Sequence, residues 1–375
     1  MKNKNVFSIK EIIFIIIITG VVTSLTTGSI IFKKETSNLI KDEEVNKFIE
    51  VYNQVTSDYV DELNKEEVVQ SAIDGMMDYL GDNYSVYLDK EESNHLKEEL
   101  TGTFEGIGIE ISPENKIVQV YEGTPAAKAG LQANDIILSI NGKEVTTSKE
   151  SVELIKDTKD IKISIKRREE TLKFDVKKDT INKKIAISKQ LEDNIGYLHL
   201  SGFTNNSYDL FYEELMKLEE DGMKKLIIDL RFNTGGYLAQ AKKIASIFLK
   251  KNQTIYYLED KNNLTTYKDT TEEHKDYEIV VLANGSTASA SEVLIAALKE
   301  NKDITIIGDT TYGKGKVQQQ VNNDDGTILK YTTSYWLTPK KFKIDGIGIK
   351  PDIAIAYDYE NNIDTQLNKA IKYLK

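Results

Sequence analysis

Three glycine-bearing loops hold the residues of this 375-residue chain whose types and spacing could do chemistry. The first, "NGSTASASEVLIAALKEN" (284–301), sets small hydroxyl residues ahead of an apolar helix pattern. A serine at a helix start is well placed as a nucleophile, because the next N–H and the helix dipole can stabilise a developing oxyanion. The same residues read equally as Ser289-x-x-Glu292, a capping box that accounts for both ends of the motif without catalysis. The second, "LIIDLRFNTGGYLAQA" (226–241), puts Gly235 and Gly236 before a helix, where outward N–H groups suit an anion or an oxyanion. A plain helix-start turn explains the glycines as well, but not Arg231, since lysine would serve for solubility in so lysine-rich a chain. The third, "ITIIGDTTYGKGKVQQQV" (304–321), imitates a phosphate-binding loop through Gly308, Gly313 and Lys314. Gly315 then stands where Ser or Thr should hold magnesium, and a strand pattern follows where a helix should begin, so nucleotide binding is rejected.

A serine needs a base. The chain has no cysteine and three histidines, His95, His199 and His274, none with a partner at metal-ligand spacing. A cysteine nucleophile, Cys-ligated zinc and disulfides are excluded, and a Ser/His/Asp triad lacks a candidate base. Lysine can serve if burial lowers its pKa from about 10.4 towards neutrality, because only the neutral amine accepts a proton. Lys314 has room around it, and along an extended strand Gln318 shares its face. A glutamine carbonyl there could fix the amine without adding a charge. No S-x-x-K occurs anywhere. A formal charge of -11 argues against nucleic acid as a partner.

The elements that must position these loops fall into four regions. Residues 1–36 hold 21 uncharged, largely apolar residues from Ile12 to Phe32, preceded by Lys2, Lys4 and Lys10. That is about the ~20 residues needed to cross a bilayer, and reads as an uncleaved single-pass anchor rather than a signal peptide. With the short tail in the cytoplasm, everything after residue 36 is extracytoplasmic. Residues 37–100 have apolar residues at helical spacing, closed by the turn "GDNYSVYL", and suit either a spacer or a dimerisation element. Residues 101–180 are β-rich: Thr124 reads as an N-cap, Pro125 as the first helical position, Gly130 as a stop and Asn141-Gly142 as a hairpin turn. From 181 to 375 strand and helix patterns alternate, which argues a layered α/β domain with a largely parallel sheet and ligand sites at strand ends.

The segment "GTFEGIGIEIS" with "EGTPAAKAGLQANDIILSINGKEV" resembles a PDZ domain of the bacterial protease type. The resemblance implies that backbone N–H groups around Gly106, Ile107, Gly108 and Ile109 hold a chain's terminal carboxylate. The peptide would then add as a strand against the helix carrying Val152 and Ile155. Beyond it, "YSVYLDKEE", "DLRFNTGG", "NGSTASASE", "TTYGKGKVQ", "YWLTP" and "GIGIKPDI" stand in the order of the C-terminal processing peptidases, a serine protease family. That resemblance implies Ser289 as nucleophile, Lys314 as general base, Gln318 as its orienting residue, and an oxyanion hole from the Ala290 N–H and the Gly235/Gly236 turn. It implies protein substrates with free C-terminal tails and no metal or cofactor. A homodimer through the terminal helical segments is compatible with it. Thr234 and Lys340 depart from the family pattern away from the pair. The competing expectation is a membrane-tethered PDZ adaptor with an inactive protease-like domain.

Overall fold

Alternating buried strands and amphipathic helices after residue 185 build a six-stranded sheet in the computed structural model, which describes residues 42–358, 361 and 363–375. Its order is Ala186–Gln190, Ile195–Leu200, Lys225–Asp229, Glu278–Ala283, Thr305–Gly308 and Ile353–Ala354. The first pair is antiparallel and the rest are parallel. Helices Ser207–Glu220, Leu238–Ser246 and Ala290–Lys302 bury Phe211, Ile244 and Leu294 on Leu226, Ile228 and Val281 of one face. Helix Thr365–Leu374 covers the other, with Ala370 and Leu374 against Ile227, Val280 and Leu282. Burial on both faces is why the central strands read as continuous apolar runs rather than alternating ones. Each fully buried Leu or Ile contributes about 1.5–3 kcal/mol.

A second, antiparallel sheet has no counterpart in the sequence reading. It joins Val86–Leu88, Ile328–Leu337, Thr254–Glu259 and Leu264–Lys268, and Lys316–Asn322 pairs with Ile328–Leu337. "GDNYSVYL" therefore does more than close a helical region, because Val86, Tyr87 and Leu88 pair with Lys330, Leu329 and Ile328. The chain divides compactly at Tyr79/Leu80, so residues 80–100 belong with the larger unit and not with a 37–100 region. Strand pairing across some 240 positions decided that, and such pairing leaves no local periodicity.

The smaller unit contains helices Glu43–Asp58, capped by Asp42, and Lys65–Tyr79. Neither buries a residue, and Val45, Phe48 and Val55 lie exposed at helical spacing. The expected anchor, Ile12 to Phe32, lies outside the described residues. Among the described residues no helix is long and apolar enough to cross a membrane.

The β-rich region follows its local signals closely. Thr124 caps helix Pro125–Ala129 by accepting from Ala127 N, and Gly130 ends it with φ 93. Asn141 and Gly142 have φ 50 and 80, as a two-residue hairpin with right-handed strand twist requires. Helix Ser148–Asp157 starts with a Thr147/Glu150 capping box. Ile107, Ile117, Ile140, Ile155 and Ile163 form the core. Arg167 is tied to Asp135 at 2.7 and 2.8 Å and to the Gly130 carbonyl at 2.8 Å. It is a structural clamp rather than a free carboxylate ligand.

Candidate active site

The opening loop is held by its neighbours before any catalytic role is considered. Asn284 Oδ1 accepts the N–H of Phe232 at 3.0 Å and of Ser286 at 3.1 Å. Thr287 Oγ1 accepts from Asn284 N and donates to the Leu230 carbonyl, both at 2.9 Å. Ala288 N and Ser291 Oγ both donate to the Asn233 carbonyl at 3.0 Å. These ties stitch the 284–291 loop to the 230–233 loop and force Ser289 to φ 56, ψ -116. For a non-glycine residue such a conformation costs on the order of 1–3 kcal/mol and persists only when the surroundings over-determine it. The hydroxyls of Thr287 and Ser291 are thus committed to the scaffold, while Ser289 borders the cleft.

Glu292, wholly buried, joins this turn to the lysine loop. Its Oε2 accepts the N–H of Ser289 at 2.8 Å and of Lys314 at 2.9 Å. Its Oε1 accepts from Thr311 Oγ1 at 2.5 Å and Gly313 N at 2.7 Å. The capping-box spacing and the nucleophile position are one piece of geometry. Burial pushes the Glu292 carboxyl above its ordinary range, against the opposing pull of its four hydrogen bonds. Local spacing showed only the Ser289 bond; the other three donors lie 19 to 22 residues away.

Lys314 sits where the chain is clamped on both sides. Trp336 Nε1 donates to its carbonyl at 2.8 Å, and Trp336 N to the Gly315 carbonyl at 2.9 Å. Gly313, at φ 86, has no space for a side chain, since a Cβ would fall 2.7 Å from Gly348 N. The Lys314 amine is half-buried and, among the described residues, has no carboxylate hydrogen-bonded to it. Burial, and next the charge of Lys330, push it down to about 8, against the weaker pull of Asp82 and Glu292. Its Nζ lies 4.5 Å from the centroid of the Tyr84 ring. Gln318 lines the same cleft, but its Nε2 donates to Thr332 Oγ1 at 3.1 Å, across from it in the paired strand.

Gly235 packs directly under the nucleophile turn. A Cβ there would come within 2.8 Å of the Ala288 carbonyl, 2.9 Å of Ser289 Cβ and 3.0 Å of Ala290 N. The Gly235 N–H, one of those expected for an oxyanion, donates to Asn233 Oδ1 at 2.9 Å. Gly236 bridges to Phe203, and Ala290 opens helix Ala290–Lys302, where the first N–H groups have no intrahelical partner. Arg231 does not line the cleft of Ser289. It holds Asp229 and Asp364, at 2.6 and 2.8 Å, and so ties the end of a central strand to the cap of the C-terminal helix. Of the expected peptide-binding set, Gly106 ends strand Thr103–Gly106, and Gly108 and Ile109 follow at the next strand. The side chains of Ile107 and Ile155 pack in the core of this region. Val152 is 40 % exposed.

Ser289, Lys314, Gln318, Gly235 and Gly236 line one cleft of about 740 Å³. None of the three histidines lines it. A lysine amine brought down to about 8 and a strained hydroxyl beside a helix N-terminus, both on one cleft, are parts that suit acyl transfer without histidine. The residues that sequence reasoning missed are Asp82, Tyr84 and Thr332. Their only signal was the tyrosine-containing motif around residue 84, which carried no role of its own.

Comparison with known proteins points to a serine peptidase. Residues 194–355 match peptidase family S41, residues 116–167 the PDZ domain, and residues 22–92 the activating protease CtpB N-terminal domain. A probable CtpA-like serine protease of Staphylococcus haemolyticus is 35% identical over 354 residues, covering 91% of this chain and 71% of that one. Its counterpart in Staphylococcus aureus (strain MRSA252) is 36% identical over 353 residues, covering 91% and 70%. In fold, the chain is similar to the photosystem II D1 C-terminal processing protease, with a TM-score of 0.50 at 23% identity over 84% of this chain and 94% of that one. A putative S41 protease from Bacteroides fragilis gives 0.53 at 18% identity, over 79% and 87%. With the relatives matched over nine-tenths of its length and a hydroxyl and a low-pKa amine in one cleft, the chain belongs to the CtpA-like serine proteases of peptidase family S41.

Proposed function

We propose that this peptidase is a membrane-anchored endopeptidase that captures unstructured C-terminal tails through its PDZ domain and cleaves them with Ser289 and Lys314. The observation that carries the reading is the strained backbone of Ser289, which presents its side chain to the cleft that Lys314 also lines. The neutral Lys314 amine takes the Ser289 Oγ proton as Oγ bonds the substrate carbonyl carbon. The resulting ammonium gives that proton to the departing amine when the C–N bond breaks. Water, deprotonated by the same amine, then hydrolyses the ester. The Ala290 N–H and the Gly236 turn face the developing oxyanion. Gln318 completes the site by orienting the amine as substrate closes the cleft. The Ile12–Phe32 segment anchors the chain and leaves the catalytic part extracytoplasmic. The apolar stripe of Val45, Phe48 and Val55 fits a second copy of the chain.

The test uses the full chain extracted from membranes, with its mass measured, on an unfolded protein carrying a free or an amidated C-terminus. Cleavage of the free-acid form in preference to the amide, by a two-chain particle, is expected. Binding of the tail without cleavage would favour the adaptor reading and sink this one.

The base also sets a pH dependence. Only neutral Lys314 acts, so kcat/KM is expected to rise about tenfold per pH unit below the amine's pKa and level off above it. With that pKa at about 8, the limb falls just above neutrality. Lys330→Gln removes a positive charge that disfavours the Lys314 ammonium, so its limb should move to higher pH. A flat profile, or an acidward move in that variant, would count against lysine as the base.

A further inference from the structure

Tyr84 stands beside Lys314, and the loop that carries it is anchored to the second, antiparallel sheet, whose Lys316 and Lys330 line the cleft. Asp82 accepts from Lys316 Nζ at 2.9 Å, Ser85 Oγ at 2.7 Å and Thr332 Oγ1 at 2.5 Å. Ser85 Oγ in turn accepts the Thr332 N–H at 3.0 Å, and Val86–Leu88 continues as a strand paired with Ile328–Lys330. Burial keeps the Tyr84 hydroxyl well above the ordinary phenol range, hence a neutral O–H. The loop is therefore fixed, with the Tyr84 ring centroid 4.5 Å from Lys314 Nζ and 5.8 Å from Lys316 Nζ. Lys316 already has Asp82 as its counter-ion. Among the described residues Lys314 has none, and its charged surroundings are Lys330, Asp82 and Glu292.

We propose that Tyr84 is a positioning residue for Lys314, its ring face holding the ammonium that forms when the amine takes the Ser289 proton. This rests on the Ser289–Lys314 reading above. A carboxylate in that place would stabilise the ammonium at rest and leave too little neutral amine. An aromatic face attracts the same cation through its quadrupole, within the ~6 Å range of such contacts, and brings no formal charge. The attraction is largest when the amine is charged, which is the transition state and not the resting base, so it favours turnover.

The experiment replaces Tyr84 with phenylalanine, with progressively fluorinated phenylalanines, and with leucine, and measures kcat and the pH profile of kcat/KM for each. Tyr84→Phe should keep the wild-type profile. Along the fluorinated series, whose shape stays constant while the ring face loses electron density, kcat should fall stepwise by about tenfold in all. The acid limb should move to lower pH as the ammonium loses its support. Tyr84→Leu should lie at the end of that trend. A flat fluorinated series, a loss already complete in Tyr84→Phe, or an alkaline move from water admitted to the amine would each overturn the proposal. If Ser289→Ala or Lys314→Ala keeps the wild-type rate, it is the underlying pair that fails. If those variants are inactive and the fluorinated series is flat, only the role of Tyr84 fails.

Discussion

Ser289→Ala and Lys314→Ala are each expected to lower kcat/KM by on the order of 10⁴- to 10⁶-fold, and the double variant should be no worse than either single one. Nucleophile and base act as a unit, so losing one removes the step to which the other contributes. Lys314→Arg should be as inactive as alanine, because a guanidinium does not release its proton at accessible pH. Lys314→Met adds an independent measurement. The folded-state pKa of Lys314, about 8, lies below the unfolded value of about 10.4, so the unfolded chain binds more protons between those values. Wild-type stability contributed by this group therefore rises with pH across that window, and the penalty for holding the ammonium is greatest below it. Lys314→Met should raise the melting temperature at pH 7, with a gain that fades towards pH 10. Retained activity in either alanine variant, or a Lys314→Met protein less stable at pH 7 than wild type, would oppose the arrangement.

Glu292→Ala is expected to damage both stability and activity. One buried carboxylate accepts from Ser289 N, Lys314 N, Gly313 N and Thr311 Oγ1. Removing it leaves four donors without that partner, two of them buried and two beside the cleft, at about 1–3 kcal/mol for each that stays unpaired. Relaxation recovers part of this, so a total loss of about 3–5 kcal/mol is expected, at the upper end for single substitutions. The Ser289 turn and the Lys314 loop then lose the carboxylate they share, the Tyr312 N–H on the Thr287 carbonyl remaining, and a displacement of about 1 Å is enough to cost on the order of 10²-fold in rate. Glu292→Gln keeps the volume but turns one acceptor atom into a donor, so it should fall between wild type and alanine in thermal unfolding and in kcat. An alanine variant that melts with wild type and cleaves at its rate would show that the strained turn holds without its carboxylate.

Much of this was legible locally. Helix caps, the Asn141-Gly142 hairpin and the alternation of strand and helix after residue 185 depend on residues a few positions apart, where steric limits and unsatisfied N–H groups act directly. The small-residue run before an apolar helix marked the Ser289 turn for the same reason. Burial of Ile107 and Ile155 was not legible, since a β-branched residue between glycines or on a helix face suits a groove or a core equally, and only packing decides.

The sequence by itself determined the inventory: no cysteine, no histidine in range, a glycine-flanked lysine, a capped hydroxyl run and an α/β order of elements. It could name the chemistry because residue types limit which proton transfers exist. The tertiary structure alone decided that Glu292 fastens one loop to the other and that Asn233 Oδ1 holds the Gly235 N–H. It also decided that a strand at residues 86–88 joins the sheet of residues 316–337 and brings Tyr84 against Lys314. Those contacts span up to about 240 residues, and long-range pairing follows from the cooperative closing of a core, not from any spacing along the chain.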